Sequence, residues 1–417
     1  SLSTLISTVL VTLEPSGFVT TTGTSNVLVS SFGPQLVTAG VPLIVFEVWS
    51  YVTPFGSLDV STVTVESIFP VPIRIGVIGF SSITVWFLFE IVTGSTGFLG
   101  NTIVKKLSKN KDYEVRALVY SKEEEYILKG IDCKIFHGDI TNKASLKDIF
   151  TVEDNKDIYV IHCAAIVTIK SDEDPKVYDV NVNGTNNVID YCIEVNAKLL
   201  YVSSVHAIKE SEGKIFETKD FDKDSVHGYY AKTKAEAAKN VLEAVKNRNL
   251  KACVFHPAGI IGPGDSSNTH TTQLVKRMLE NKLVFVVNGG YNFVDVRDVA
   301  DGIINAADMG EIGETYILSG EYISIKDYAK LVEKILGKKK YIFSIPIWFV
   351  KMIAPAMEKY YDLVKKVPLF TRYSIYTLQT NSNFSNDKAH KELNFRNRKI
   401  EDSIKDTIID ITKKEIQ

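Results

Sequence analysis

"FLFEIVTGSTGFLGNTIVKKL", Phe87 to Leu107, reads as a buried strand, a glycine turn and an amphipathic helix. Gly94, Gly97 and Gly100 are spaced three apart. Glycine there permits a tight turn, close approach of backbone to a diphosphate, and close packing of helix on strand. The helix start then offers unpaired N–H groups and the positive end of its dipole to an anion. A glycine loop alone is weak evidence, and its strand–turn–helix setting is what strengthens it.

Later segments extend the pattern. "YEVRALVY", Tyr113 to Tyr120, is a second strand, and its end should meet an adenosine ribose. No acid sits at that end. Tyr120 and Lys122 stand there, and Lys122 suits the 2′-phosphate of NADP(H), whereas Glu123 to Glu125 favour NAD(H). The balance leans to NADP(H). "CKIFHGDI" gives a third strand ending at Asp139, which either accepts from an adenine amino group or caps a turn. "IYVIHCAAI" gives a fourth, where the small Ala164 and Ala165 let a cofactor lie close. His162 and Cys163 read as packing residues.

In "HGYYAKTKAEAAKN", His227 to Asn240, alanine, lysine and glutamate predict a helix starting near Gly228. Tyr230 and Lys234 are four apart and share a face, whereas Tyr229 is paired with Thr233. A cation beside a phenol lowers its pKa, which suits proton exchange with a substrate hydroxyl or carbonyl.

Composition narrows the alternatives. The chain has 417 residues and a net charge of −2, so nothing global favours nucleic acid. Four scattered cysteines, with no metal-ligand spacing, fit a reducing cytoplasm and no metal site. Residues 1–90 contain no lysine, one arginine (Arg74) and five acids, out of 48 basic and 50 acidic residues in all. Residues 1–86 therefore form a separate, β-rich or irregular extension, and their composition suggests a different coding origin from the rest. The run "ITVWFLFEIV", Ile83 to Val92, is too short to span a bilayer.

From Phe87 onward the chain resembles the extended short-chain dehydrogenase/reductases, in the branch of dihydroflavonol reductases and 3β-hydroxysteroid dehydrogenases, often called NAD-dependent epimerase/dehydratases. The likeness rests on ordered motifs: "TGSTGFLG", "HGDI", "HCAA", "NVNGT", "YVSS", "YYAKTK", "HPAGIIGPGD" and "FVDVRDVA". It implies a doubly wound parallel sheet, the Rossmann fold, with a smaller C-terminal α/β substrate lobe. Residues 87–265 would mainly bind the dinucleotide and 266–417 mainly the substrate, with 291–320 returning to the sheet. It implies a Ser204–Tyr230–Lys234 site, with Asn181 in a water relay to the lysine and Ser203 the alternative serine. It places Gly94, Thr96, Gly97, Phe98 and Leu99 on the diphosphate, Asp139 and Ile140 at the adenine, and Pro257 and Ile260 near the nicotinamide. It also implies a homodimer.

The departures tilt the reading. His256 replaces the usual arginine before Pro257, and neither the epimerases' Val-Tyr-Gly nor the dehydratases' Asp-Glu pair is present. The expected function is hydride transfer between a nicotinamide cofactor and a small carbonyl or alcohol. The alternatives are an epimerase that oxidises its substrate transiently and a non-catalytic dinucleotide sensor. "IPIWFVKMIAPAMEKYYDLV" should be a helix covering the pocket rather than a membrane anchor, while Arg372, Tyr373 and Tyr376 either line the pocket or pack.

Overall fold

A computed structural model of the chain describes residues 88–111, 113–152, 157–169, 172–280, 285–337, 343–363 and 371–416, together with six strands between residues 11 and 84. Backbone contacts divide the chain into Ser1–Phe87 and Leu88–Gln417. The first unit is an antiparallel sheet whose longest pairing joins Ile44–Val52 to Ser57–Ser67. Its β-rich composition is expressed as strands.

The second unit is built on a seven-stranded parallel sheet. In chain order its strands are β1 (Leu88–Thr93), β2 (Tyr113–Val119), β3 (Lys134–His137), β4 (Ile158–His162), β5 (Lys198–Val202), β6 (Lys251–Pro257) and β7 (Thr315–Leu318). Across the sheet the order is β7-β6-β5-β4-β1-β2-β3, with every neighbouring pair parallel. The order reverses between β1 and β4, so their C-terminal ends open a crevice where doubly wound sheets bind ligands. Four helices flank the sheet: α1 (Phe98–Leu107), α2 (Thr185–Glu194), α3 (Tyr229–Arg248) and α4 (Val296–Met309). Ile91, Val160, Leu200, Val254 and Ile317, one from each of five strands, are fully buried in one core. Near-continuous apolar strands are what a sheet covered on both faces requires.

Glu90, inside the apolar run, is 2% exposed. Burial, with Asp308 adding to it, pushes its carboxyl well above the usual range.

The return of the chain to this sheet is narrower than residues 291–320. Only Thr315–Leu318 joins it; Gly290–Asp295 pairs instead with Gly259–Ile261 and Glu321–Ser324 in a three-stranded sheet. The helix Ile347–Leu363 also departs from expectation. Val350 and Ala354 pack with Ile375, while Trp348 and Met352 are exposed, so its apolar content serves two faces. Among the described residues no helix is long and apolar enough to cross a membrane.

His162 and His256 are buried and His206 is half-buried in a cavity wall, and loss of solvent pulls the imidazoles of His162, His256 and His206 down to about 3, 4 and 4 respectively. Their neutral forms support the fold above the ordinary histidine pKa of about 6.5. That support is lost as pH falls from there toward 4. Thermal melts should therefore drop steeply between pH 6.5 and 4, and replacing His162 with glutamine should soften that drop.

Candidate active site

The crevice begins at the glycine loop. Gly94 follows β1 at φ +65°, and a Cβ on it would lie 2.7 Å from the Ala164 nitrogen. A Cβ on Gly100 would lie 2.1 Å from the Gly94 carbonyl oxygen. Both positions need glycine because backbone already fills the space of a side chain. Gly97 caps α1 without a side-chain bond, so the first N–H groups of the helix face outward with no competitor. Ser95 donates to the Leu118 carbonyl at 2.6 Å and ties the loop to β2. These features fit a diphosphate: the cradle is one that any Cβ would fill.

A cavity of about 630 Å³ runs from this loop to the C-terminal ends of β5 and β6. It brings together Gly94, Gly97, Phe98, Leu99, Ala165, Ser204, Tyr230, Lys234, Pro257 and Ile260. Tyr230 and Lys234 occupy the first turns of α3, whose cap Gly228 sits at φ +92°. Ser204 follows β5 and stands close enough to the Tyr230 phenol to favour its ionised form. Ser203 points its hydroxyl to the Lys234 carbonyl at 3.4 Å, so the phenol's partner is Ser204.

The charges differ from what helical spacing alone suggests. Burial pushes the Tyr230 phenol up to about 12, and the Ser204 hydrogen bond opposes it only in part. Burial pulls Lys234 down to about 7, with Cys163 opposing. Lys234 Nζ donates to the Val202 carbonyl at 2.6 Å and lies 4.6 Å above the Tyr201 ring. At neutral pH the phenol thus holds its proton, and the lysine is poised near half-protonation.

Other expected residues lie outside the cavity wall. Asn181 sits in a π-helical turn, Asp179–Gly184. Its amide accepts from Ile166 N at 2.8 Å and donates to Ile166 O at 3.1 Å and Thr233 Oγ1 at 3.0 Å. It therefore braces the loop after β4 against α3. Ala164 lends its backbone to Gly94 rather than a side chain to the cavity. Asp139 accepts from the Thr141 N–H at 2.9 Å, closing a turn, and Ile140 lies buried under Gly184. Tyr120 and Lys122 are exposed. Thr96 donates to Glu124 Oε2 at 2.6 Å, bringing a carboxylate onto the glycine loop.

His256 and Tyr373, both named from the sequence, find their places here, while His206, Tyr291 and Thr377 are not singled out by it. His256 is fully buried and donates from Nδ1 to the Ser204 carbonyl at 3.0 Å, fixing the turn that carries the serine. His206, Tyr291, Phe293, Tyr373 and Thr377 close the far end of the cavity. They come from segments distant in sequence, so spacing cannot reveal them. His162 bonds Thr93 and Thr185 within the core, as a packing residue would.

The family model described as "NAD dependent epimerase/dehydratase family" matches residues 91–319. Sterol demethylase protein B of Methylococcus capsulatus is 26% identical over 73% of this chain and 92% of its own length. A putative dihydroflavonol 4-reductase of Synechocystis is 26% identical over 76% of this chain and 92% of its own. The crystal structure of gox2253 superposes with a TM-score of 0.68 and 27% identity, covering 78% of this chain and 98% of the other. UDP-glucose 4-epimerase of Thermotoga maritima gives 0.63 at 19% identity, covering 78% and 99%, and shares the fold.

The depressed Lys234 gives a second pH signature. An unfolded lysine binds its proton up to about pH 10.4, whereas the folded one releases it near 7. Between those values the unfolded chain holds more protons, so stability rises with pH. From about pH 7 to 8.5, above the histidines and below the thiols, the melting temperature should climb. Lys234→Met should flatten that climb.

Proposed function

Because the chain belongs to the NAD dependent epimerase/dehydratase family, we propose that it is an NAD(P)-dependent oxidoreductase acting on a small carbonyl or alcohol through Ser204, Tyr230 and Lys234. The observation that carries this reading is the convergence of these three side chains with the glycine cradle on one cavity. When bound, the dinucleotide supplies or accepts the hydride. Gly94 and Gly97 would hold its diphosphate against the start of α1, and Pro257 and Ile260 would flank its far end.

The side chains handle the proton. A phenol held un-ionised by burial is a proton donor to the substrate oxygen in reduction and recovers that proton in oxidation. Ser204, beside that phenol, would turn its hydroxyl to donate to the same developing alkoxide. Lys234 can carry a charge or release it near neutral pH, so it can relay the proton that Tyr230 gives up. Asn181 and His256 hold the loops on which this geometry rests.

We infer NAD(H) as the cofactor, although Lys122 leaned the other way. Glu124 is supported against the loop by Thr96 and lies 24 residues after Gly100 (124 − 100), in the region where an acid pairs with the ribose 2′-hydroxyl. A carboxylate there repels a 2′-phosphate. Fluorescence titration should show tighter binding of NADH than NADPH, and Glu124→Gln should narrow the gap by roughly tenfold, ~1.4 kcal/mol. Equal gaps in both proteins would remove Glu124 from that role.

Tyr230→Phe should cut turnover by about 10²- to 10⁴-fold while cofactor affinity holds. A reductase changes NADH absorbance during turnover, whereas an epimerase converts substrate without net change. An undiminished rate in Tyr230→Phe would refute the assignment.

A further inference from the structure

One buried side chain behind the crevice uses both of its polar atoms. His162 ends β4 opposite Thr93, the last residue of β1, and both are buried. The ring's Nδ1 lies 2.6 Å from the Thr93 hydroxyl. Its Nε2 lies 3.0 Å from the hydroxyl of Thr185, at the start of α2. Packing alone asks for neither bond.

The hydrogens along this chain of groups can be placed one by one. Thr185 has a single hydroxyl hydrogen and gives it to the Asn181 carbonyl at 2.7 Å. It can therefore only accept from the imidazole, which puts the ring hydrogen on Nε2. Burial, with the Lys234 charge adding to it, pulls His162 down to about 3, so the ring is neutral and Nδ1 carries no hydrogen. Nδ1 then accepts from Thr93. With its own hydrogen fixed, the Thr93 oxygen turns a lone pair to the Ala164 N–H at 3.3 Å. Ala164 is the backbone that Gly94 meets, where a Cβ would lie 2.7 Å from its nitrogen.

The other end reaches α3. The Asn181 amide donates to Thr233 Oγ1 at 3.0 Å, and Thr233 donates to the Tyr230 carbonyl at 2.8 Å. Thr185, Asn181 and Thr233 are all buried. The His162 ring also stacks on Tyr201 with centroids 5.7 Å apart, and the Tyr201 ring carries the Lys234 ammonium.

We propose that His162 is a positioning residue for the cofactor: its Nε2–H tautomer fixes the Thr93 hydroxyl, holds Ala164 against Gly94, and ties the diphosphate cradle to the helix that carries Tyr230. This rests on the oxidoreductase reading above and adds a residue that acts from behind the cavity wall. An apolar side chain of similar size would fill the same space but leave Thr93 free to turn.

Titration of the full chain with NADH tests this without a known substrate. His162→Leu loses both bonds and should weaken NADH about tenfold. His162→Gln offers an acceptor to Thr93 and a donor to Thr185, and should recover most of that loss. Packing alone predicts the reverse order, because glutamine buries a polar group and leucine does not. Thr93→Val removes the same bond from its other end, and its effect should not add to that of His162→Leu in the double variant. Heteronuclear NMR of the histidine rings should show His162 protonated at Nε2 alone at neutral pH. Leucine and glutamine variants that bind NADH alike, losses at the two positions that add, or a hydrogen on Nδ1 would each overturn the proposal. If His162→Leu fails to fold, Thr93→Val and the spectrum decide. Those failures leave the glycine-loop reading standing, whereas a wild type that binds neither NADH nor NADPH overturns that reading and the proposal with it.

Discussion

The approach of Gly100 to the Gly94 carbonyl is the constraint on which the rest of the structure depends. Backbone occupies the place of a side chain there, with 2.1 Å between a notional Cβ and that oxygen. This contact lets α1 pack close against β1 and aims its unpaired N–H groups into the crevice. On the other side, Gly94 meets the Ala164 backbone, which brings the end of β4 to the loop. Three chain segments thus converge within van der Waals contact before any side chain is counted. The crevice exists because nothing at these positions can fill it.

A second cost is accepted at Lys234. Burying an ammonium is unfavourable, and the residue answers in three ways: a bond to the Val202 carbonyl, a place over the Tyr201 ring, and a pKa near 7. A group destabilised in its charged form and titrating near neutrality is a marker of function more than of stability. Its neighbours show the opposite economy. Asn181 has both N–H groups engaged, and His256 is spent on the Ser204 carbonyl.

The fold was legible in the sequence wherever its cause is local. The glycine spacing, the apolar strands and the Tyr230/Lys234 interval depend on residues within one turn or one strand, and the structure describes each as an element or a shared face. The ionisation of the pair was not legible, because spacing measures distance along a helix while burial depends on the whole core. Glu124 stood in a run of acids that spacing could not resolve, and only the Thr96 contact singles out one of them. The three-stranded sheet escaped for a related reason. Gly259–Ile261 pairs with Phe293–Asp295, 34 residues further along the chain (293 − 259). The helical spacing in Ile347–Leu363 gave a helix but not its neighbour, since Trp348 and Met352 are apolar on a face that none of the described residues covers.

Gly228 joins these threads. Seen along the chain, it is a helix start, and its positive φ explains why glycine suits the cap of α3. In three dimensions it is also the surface on which the Tyr373 ring rests. One residue therefore serves the segment that carries Tyr230 and the segment that closes the far end of the cavity. A side chain there would strain the backbone of the first turn of α3 and displace the ring together. Tyr230 and the cavity wall at Tyr373 are consequently registered to each other through a single missing Cβ.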